Sequence, residues 1–531
     1  MYRFLPLLAS LSMLALFCAM IPVSSFFWIG VILMGGLSAL GLYDFFQTRH
    51  TLWRNFPIAA RIRWIAEELR PFFRSYIVES DTEGRPFNHE ERAMVYRRAK
   101  DVSSVEPFGS QLDIDNPPYE WLSHSIAARH PRNEDPRVRV GAPGTAKPYE
   151  ASVLNISAMS FGSLGAHAIE ALNRGAAKGG FYHDTGEGGV SKYHRAGGGD
   201  LVWELGSGYF GCRAKDGDFD PARFADVAAD DQIKMIEIKL SQGAKPGHGG
   251  VLPGNKVTAE IAEARGIPIG ETCYSPAAHT AFSTPKEMMD FIAQLRELSG
   301  GKPVGIKLCV GNRWEVLALC KAMRQTGIMP DFVVVDGAEG GTGAAPAEFM
   351  DHIGAPLRQG LVLVRNALVG CDLKQHVRVA ASGKQISAFS MAASMALGAD
   401  WINTARGFMF SLGCIQSLNC HNNTCPTGIA TTDKGRQRGL VIPDKAERVY
   451  NFHRNTIKAL MEVVGAAGCE HPGELTPRHI MHKVTQDVAQ PAHRAYNLLE
   501  PGVLIAGAED THLAREWAMA QADSFAPLRI D

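Results

Sequence analysis

The most apolar part of the chain is its beginning. Between Phe4 and Tyr43 lie 40 residues without a single Asp, Glu, Lys, Arg or His. As α-helix this run extends about 60 Å, which is twice the ~30 Å thickness of the hydrocarbon core of a bilayer. Pro22 and the serines after it interrupt the run near its middle. The pattern predicts two membrane-spanning helices, at about 4–21 and 26–43, joined as a hairpin.

Positive charge flanks this hairpin at both outer ends. Arg3 precedes the first helix, and Arg49 and Arg54 follow the second. Because cytoplasmic loops carry an excess of Lys and Arg, both ends are expected in the cytoplasm. A cleaved signal peptide is the ordinary alternative, but its apolar region covers only ~7–15 residues and is not followed by a second one. We therefore expect residues 1–46 to form a two-helix membrane anchor for a cytoplasmic catalytic domain.

Residues 47–150 are polar and interrupted by proline. Segments 64–69 and 88–100 have the pattern of helices, and prolines 117 and 118 end any continuation. The arginines of this region are compatible with contacts to lipid headgroups, although a solvated helix face is the commoner cause of such a pattern. The segment is predicted to link the membrane anchor to the catalytic domain.

After residue 150, short β-rich runs alternate with helical patterns. Strands are predicted at 152–157, 235–239, 304–309, 332–336, 377–381 and 401–404, with helices at 285–298, 313–326 and 386–397. Such alternation predicts parallel strands covered by helices, and glycine-rich loops follow the strands as they do at the active face of a (β/α)₈ barrel. A doubly wound sheet would show the same alternation, but no Gly-x-Gly-x-x-Gly stands between a strand and a helix.

Composition narrows the class of protein. The chain has 54 Lys and Arg against 55 Asp and Glu, a net charge of −1, so no basic field points to nucleic acid as a partner. Hydrophobic residues make up 46% and charged residues 21%, which excludes wholesale disorder. Ten cysteines in a chain of 531 residues do not form a disulfide scaffold.

Three of these cysteines are clustered. Cys414, Cys420 and Cys425 are spaced Cys-x₅-Cys-x₄-Cys, with a proline after the last. Thiolates on a short irregular loop suit an iron–sulfur cluster, whose sulfides also need nearby backbone N–H donors. A zinc ion would take His421 as a fourth ligand, and three buried thiols without a metal would have the same spacing. The spacing alone leaves the three interpretations open.

Cationic and amide side chains stand on the loops that follow predicted strands. Lys239, Gln242 and Lys245 lie within ten residues, Lys307 ends another strand, and Glu187 stands between glycines. A lysine at the carboxyl end of a barrel strand can stabilise negative charge on a reduced flavin or on a substrate carboxylate. For any one lysine, a surface position with a buried stem is the commoner explanation.

These residues belong to motifs that resemble the synthase domain of the glutamate synthase large subunit. The resemblance runs from residue 155 to about 473 and is carried in order by segments 156–163, 185–189, 206–211, 236–256, 336–346 and 420–431. The Lys-x-x-Gln-Gly-Ala-Lys-Pro-Gly motif and the triple cysteine are its most specific parts. The resemblance implies an α/β fold, an FMN-binding (β/α)₈ TIM barrel that carries a 3Fe-4S cluster.

The resemblance also implies the chemistry and the residues that perform it. Electrons would reach FMN through the cluster, and reduced FMN would deliver hydride to 2-iminoglutarate, formed from 2-oxoglutarate and ammonia, to give L-glutamate. The cluster ligands would be Cys414, Cys420 and Cys425. Residues near the flavin ring, its N1 edge and its phosphate would be Met159, Ser160, Gly162, Lys307, Ser382, Gly383, Lys384 and Gly407. The catalytic set at the substrate would be Glu187, Lys239, Gln242 and Lys245.

The chain also departs from the full-length enzymes. Position 2 is Tyr rather than the nucleophilic cysteine of their glutaminase domain, and nothing resembles a site for NAD(P)H. Ammonia is therefore expected from solution or a partner, and electrons from ferredoxin, quinol or a separate reductase subunit. The alternatives are a related imine reduction such as N-methylglutamate synthesis from methylamine, an electron-transfer flavoprotein on the membrane, and a barrel that has lost its cofactors.

The predicted organisation has four parts. Residues 1–46 are the transmembrane hairpin, 47–150 a linker, 151–475 the barrel with its iron–sulfur loop, and 476–531 a tail expected to be helical.

Overall fold

The computed structural model describes residues 2–131, 133–141 and 145–529. The chain divides into two compact units, Met1–His89 and Glu90–Asp531. The first unit contains helices only: α1 (Leu5–Met20), α2 (Phe27–Phe46), α3 (Thr51–Asn55) and α4 (Arg61–Phe73), followed by a π-helical turn at Arg74–Val78. The next helix, α5 (His89–Ala99), begins at the boundary.

Helices α1 and α2 pack against each other. Ser38 Oγ donates to Ser10 Oγ at 3.2 Å between the two helices, and a Cβ at Gly30 would collide with the Phe17 ring. The first apolar stretch, residues 2–20, has 19 residues and a mean hydropathy of 1.8, and 11% of its apolar window is buried. The second, residues 27–46, has 20 residues and a mean hydropathy of 1.7, and 17% of its apolar window is buried. Both helices are thus long and apolar enough to cross a membrane, and they fall close to the predicted positions.

The second unit is built on a closed barrel of eight parallel strands. Its strands are β4 (Leu154–Ile156), β5 (His183–Asp184), β6 (Leu201–Leu205), β7 (Ile233–Lys239), β10 (Val304–Leu308), β11 (Phe332–Asp336), β12 (Arg378–Ser382) and β13 (Trp401–Thr404). Strand pairing runs in chain order and closes between β13 and β4, where Asn403 pairs with Asn155. This closure confirms the TIM barrel and excludes the doubly wound sheet.

Helices connect the strands and cover the barrel. They are α6 (Ala166–Gly179), α7 (Lys192–Arg195), α8 (Pro221–Ala228), α9 (Ala259–Arg265), α10 (Pro285–Leu298), α11 (Arg313–Thr326), α12 (Ala347–His352), α13 (Leu357–Gly370), α14 (Ala388–Ala396) and α15 (Arg406–Leu412). After the barrel come α16 (Lys434–Gln437), α17 (Ile442–Ala466), α18 (Ala492–Ala495), α19 (Val503–Ala506) and α20 (Ala514–Met519). Helix α17 packs along α6, with Val449 against Gly175.

The predicted strands and helices of the barrel are largely confirmed, and the differences are local. Helices α10 and α11 have the predicted bounds, and Thr284 caps α10 together with Glu287 in a reciprocal capping box. The predicted strand 152–157 is divided, because Ser152 ends a hairpin strand and Leu154 begins the barrel. Strands β5 and β6 had no predicted counterpart, since β5 has only two residues and lies between glycine-rich segments.

The tail is not entirely helical as expected. Strands β14 (Ile480–Lys483) and β15 (Ala489–Pro491) form an antiparallel sheet with β1 (Glu120–Leu122). The segment before the barrel supplies a second hairpin, β2 (Arg137–Val140) with β3 (Tyr149–Ser152), and β8 (Val251–Leu252) pairs with β9 (Cys273–Tyr274). The expectation of a helical tail is wrong for 480–483 and 489–491, because β14 pairs with the distant β1 on one side and with β15 on the other.

Candidate active site

The four residues predicted to meet the substrate lie together at the carboxyl ends of two nearby strands. Lys239 ends β7, and its Nζ lies 2.9 Å from Glu187 Oε2 on the loop after β5. The same Nζ donates to Gln242 Oε1 at 2.6 Å. Burial favours the neutral form of Glu187, but the Lys239 ammonium outweighs it and holds the pKa of Glu187 below its usual value. Glu187 is therefore a carboxylate anion that forms an ion pair with Lys239.

Lys245 completes this group from the loop after β7, which also carries Gln242. Its Nζ donates to the Ala344 carbonyl at 2.8 Å, and burial lowers the pKa of Lys245 to about 8, although the Glu187 carboxylate opposes that fall. Glu187, Lys239, Gln242 and Lys245 line one small pocket together with Ser207. The structure thus brings the predicted set together, and the role of each member stays a prediction.

Two glycines allow the loops around this pocket to approach so closely. A Cβ at Gly250 would overlap the Glu187 carboxylate, and a Cβ at Gly243 would overlap the carbonyl oxygen of Gly337. Gly243 N also donates to Asp336 Oδ2 at 2.7 Å, which ties the lysine loop to the end of β11. The pocket therefore depends on glycine at positions where any side chain would displace a charged group or backbone.

Lys307 lies deeper, among carboxylates that the sequence reading did not single out. It is buried on β10, its Nζ forms an ion pair with Glu204 and lies 3.3 Å from Glu237 Oε1, and Asp184 is adjacent. The carboxylate oxygens of Asp184, Glu204 and Glu237 lie within 4.8 Å of one another. Burial, followed by the charge of Asp184, raises the pKa of Glu237 well above its usual value. The predicted role of Lys307 at the flavin N1 edge stays a prediction.

Apart from Lys307, the residues predicted to hold FMN follow three adjacent strands of the barrel, β12, β13 and β4. Met159, Ser160 and Gly162 follow β4, Ser382 ends β12 with Gly383 and Lys384 after it, and Gly407 lies in α15 after β13. Gly383 has φ +119°, a left-handed conformation suited to glycine, and Lys384 has φ +51°. Lys384 Nζ also lies 3.2 Å from Glu91 Oε1. These residues form one arc of the active face, at the ends of β12, β13 and β4. The substrate pocket lies on a second arc, at the ends of β5 and β7.

Arg265 is a further cation between these two arcs, which the sequence reading missed. It ends α9, its Nη2 donates to Ser160 Oγ at 3.3 Å, and its guanidinium lies 5.1 Å from the Phe210 ring centroid. Its charge also contributes to the lowered pKa of Glu187. Its buried Nε has no hydrogen-bond partner in the described part of the chain. Arginine in the last turn of a helix is common, so the sequence carries no signal of this position.

The three clustered cysteines lie on the loop that leaves α15. Gln416 N donates to Cys414 Sγ at 3.5 Å, and the Tyr96 hydroxyl donates to the Cys414 carbonyl at 2.6 Å. Burial opposes ionisation of Cys425, but hydrogen bonds from the Thr427 hydroxyl and from nearby backbone N–H groups hold the pKa of Cys425 below its usual value. Donors directed at a thiolate are what an iron–sulfur loop requires.

Two observations concern the alternative of a zinc ion. Tetrahedral zinc with Zn–S bonds of ~2.3 Å brings its thiolates to about 3.8 Å from one another. Within residues 2–131, 133–141 and 145–529, the three cysteine sulfurs do not form a group with all atoms within 4.8 Å, and His421 is exposed. On this donor set the loop fits an iron–sulfur cluster.

Lys256 connects the cysteine loop with the loop after β4. Its Nζ donates to the Ser163 carbonyl at 2.9 Å and to the Cys420 carbonyl at 3.0 Å. Ser163 follows directly on the predicted flavin residue Gly162. The cysteine loop and the predicted flavin arc are therefore joined through one buried side chain.

Comparison with known proteins agrees with this geometry. Residues 143–470 match the model of the family described as the conserved region in glutamate synthase. The glutamate synthase large subunit-like protein YerD of Bacillus subtilis (strain 168) is 36% identical over 504 residues, which cover 87% of this chain and 93% of that protein. The chain belongs to the glutamate synthase family and is a glutamate synthase-like oxidoreductase.

Other relatives match a shorter part of the chain. An archaeal-type glutamate synthase [NADPH] of Thermotoga maritima is 33% identical over 313 residues, 59% of this chain and 58% of that protein, so the match spans little more than half of that relative. Among solved structures, a mutant flavocytochrome b2 with benzoylformate has a TM-score of 0.42 at 13% identity and covers 78% of this chain and 84% of its own. At that score, the barrel assignment rests on the strand pairing described above.

Proposed function

We propose that the protein is a membrane-anchored oxidoreductase that reduces 2-iminoglutarate, formed from 2-oxoglutarate and ammonia, to L-glutamate. The observation that carries the proposal is the pocket formed by Glu187, Lys239, Gln242 and Lys245 at the carboxyl ends of the barrel strands. Arg265 adds a cation at the edge toward Ser160. A substrate with two carboxylates needs several cationic donors within a few ångströms, and this pocket supplies them.

The chain's own residues would bind and orient the substrate. Lys245 and Lys239 donate to carboxylate oxygens, and Gln242 fixes the Lys239 ammonium from the side. Glu187 pairs with Lys239 and, as a carboxylate, is positioned to receive a proton at Oε2. Because the pocket is small and its walls are closely packed at Gly243 and Gly250, a bound substrate excludes water from the charged groups.

Two cofactors complete the proposal. Met159, Ser160, Gly162, Lys307, Ser382, Gly383, Lys384 and Gly407 would surround FMN, and Cys414, Cys420 and Cys425 would hold a 3Fe-4S cluster. When bound, FMN supplies hydride chemistry and the cluster supplies single electrons. The support from the chain is the left-handed backbone of Gly383 and Lys384 beside β12, and the hydrogen bonds that the Cys414 and Cys425 sulfurs accept.

The sources of ammonia and electrons and the membrane anchor are further parts of the proposal. Ammonia would come from solution or from a partner, and electrons from ferredoxin, quinol or a separate reductase subunit. Helices α1 and α2 would anchor the enzyme in the membrane with the catalytic unit in the cytoplasm, which is compatible with their length and apolar surface.

A related imine reduction is the second candidate function. The pocket recognises carboxylates, and nothing in its charged set distinguishes ammonia from methylamine as the source of the imine nitrogen. N-methylglutamate synthesis would use the same residues. An electron-transfer flavoprotein without an amino-acid product has less support, because it has no need of a pocket lined by Lys239, Gln242 and Lys245.

Product analysis under turnover tests the proposal. The full chain, purified in detergent, is supplied with a chemically reduced viologen, 2-oxoglutarate and ¹⁵N-ammonium, and the products are identified by mass spectrometry. We expect ¹⁵N-glutamate, and no product from Lys239→Met. In a parallel reaction with ¹⁵N-methylamine in place of ammonium, labelled N-methylglutamate, together with no glutamate from ammonium, would move the assignment to the second candidate. A chain that contains flavin and iron but forms neither amino acid would contradict both.

A further inference from the structure

Helix α4 of the first unit has an apolar face that none of the described residues of that unit covers. Ile62, Ile65, Leu69, Phe72 and Phe73 recur at helical spacing along one side of this helix, and none of its residues is buried. Ile62 is 69% exposed and Ile65 57% exposed. The face continues into the π-helical turn, where Tyr76, Ile77 and Val78 are also exposed. An uninterrupted apolar surface of this size marks an interaction site.

The beginning of α4 is fixed to the end of α2. Asp44, the first charged residue after the apolar run, is fully buried, and its carboxylate accepts two hydrogen bonds from Arg61 Nε, at 3.1 and 3.0 Å, and one from Arg61 Nη2 at 2.7 Å. Ile58 N donates to the same carboxylate at 3.1 Å. Since α2 leaves its apolar stretch at this point, α4 begins at the level where a membrane-spanning α2 would reach the headgroups.

Aromatic side chains surround the same junction. The Arg61 guanidinium lies 4.2 Å from the Trp53 ring centroid, and Trp53 lies 5.3 Å from Trp64. Tryptophan is enriched where the hydrocarbon core meets the headgroups, because its ring is apolar and its N–H is polar. Two tryptophans at the junction of α2 and α4 thus mark the same level as Asp44.

The length and charge of α4 exclude a third crossing. Its 13 residues extend about 20 Å, less than the ~30 Å of the hydrocarbon core. Arg63, Glu67 and Arg70 form a charged strip along one flank of the apolar face. A short helix with one charged and one apolar side is the type that lies in the plane of the membrane interface.

We propose that α4 lies in the membrane interface, with Ile62, Ile65, Leu69 and Phe73 between the acyl chains and Arg63 and Arg70 toward the headgroups. The occupant of the apolar face is the bilayer that α1 and α2 enter, so the inference rests on the proposed membrane-spanning hairpin. It replaces the solvated face favoured by the sequence pattern. The anchor then has three segments, and α4 lies along the membrane surface where the chain leaves for the catalytic unit.

Site-specific photocrosslinking of the full chain tests this inference. Benzoylphenylalanine is introduced at Ile65, at Phe73 or, as the matched control, at Glu67, and each protein is reconstituted into vesicles of phosphatidylcholine and phosphatidylglycerol. After irradiation, crosslinked peptides are identified by mass spectrometry. All three positions are exposed, so the substitutions leave the packing of the unit intact. We expect lipid adducts at Ile65 and Phe73 to exceed those at Glu67 at least about fivefold, as an apolar face buried in the interface requires.

Other results overturn the inference. Crosslinks from Ile65 and Phe73 to peptides of the same chain or of a second copy would show that protein covers the face. Equal lipid yields at all three positions would show that α4 is not oriented by the bilayer. Carbonate extraction of the same vesicles tests the hairpin separately: a chain that resists extraction but gives no lipid adduct at Ile65 refutes only the position of α4, and a chain that is extracted refutes the spanning hairpin.

Discussion

Replacement of Glu187 by Gln removes one negative charge from the pocket and leaves its shape almost unchanged. The new amide oxygen can still accept from Lys239 Nζ, which keeps its second hydrogen bond, 2.6 Å long, to Gln242 Oε1. The affected neighbour is Lys245, whose pKa is lowered to about 8 by burial while the Glu187 carboxylate acts in the opposite direction. Loss of that carboxylate must therefore lower the pKa of Lys245 further.

The magnitude follows from the strength of such interactions. An opposite charge within ~4–6 Å shifts a pKa by about 1–3 units, and Glu187 shares its attraction between two lysines, so we expect a fall of about one unit, equivalent to about 1.4 kcal/mol. Lys245 binds a carboxylate only as the cation. Affinity for 2-oxoglutarate should thus be high below the pKa of Lys245 and decline as the pH rises through it, near pH 8 in the native protein and about one unit lower in the variant.

The assay is a titration of the oxidised protein with 2-oxoglutarate across this pH range, followed through the perturbation of flavin absorbance. The variant Glu187→Asp keeps the charge and serves as the control, with a midpoint near that of the native protein. The same midpoint in Glu187→Gln as in the native protein would refute the electrostatic account of the pocket.

Three further predictions concern other parts of the structure. Cys420→Ala should remove the iron and the cluster's electron paramagnetic resonance signal while flavin stays bound, and Cys212→Ala, which alters a buried thiol far from the loop in sequence, should leave both. Gly250→Ala should raise the KM for 2-oxoglutarate with little change in flavin content, because the new methyl group displaces the pocket carboxylate. Lys307→Met leaves the buried carboxylates of Glu204 and Glu237 without their cation. It should lower the free energy of unfolding by about 3–5 kcal/mol, measured by thermal unfolding with Lys321→Met as the comparison variant.

Much of the barrel could be predicted from sequence, because its signals are local. Helix α10 has Thr284 as N-cap, Pro285 at its first position and an apolar stripe, and its predicted bounds are confirmed. Strand β11 is a continuous apolar run that ends at Asp336, as buried parallel strands do. Closure into a barrel could not be read from these patterns, because an open sheet has the same local alternation and only the pairing of β13 with β4 decides.

The features that the sequence patterns did not predict depend on contacts between segments that are distant in sequence. Strand β14 is held by pairing of Ile480 with Leu122, which no window around residue 480 contains. In the site, Arg265 acquires its position from the loop after β4, and the cluster of Asp184, Glu204 and Glu237 forms only when β5, β6 and β7 lie side by side. By contrast, Glu187, Lys239, Gln242 and Lys245 were identified from the family motif, and the fold brings them together.

The most direct test of the central claim is a single-turnover reoxidation. The detergent-purified full chain is reduced with dithionite under anaerobic conditions, excess reductant is removed, and flavin absorbance is followed after addition of 2-oxoglutarate alone, then with ammonium, then with methylamine. The account predicts that the flavin stays reduced with 2-oxoglutarate alone and is reoxidised when ammonium is added, with one glutamate formed per flavin. A reduced flavin and an intact cluster that remain unchanged under all three conditions would contradict it.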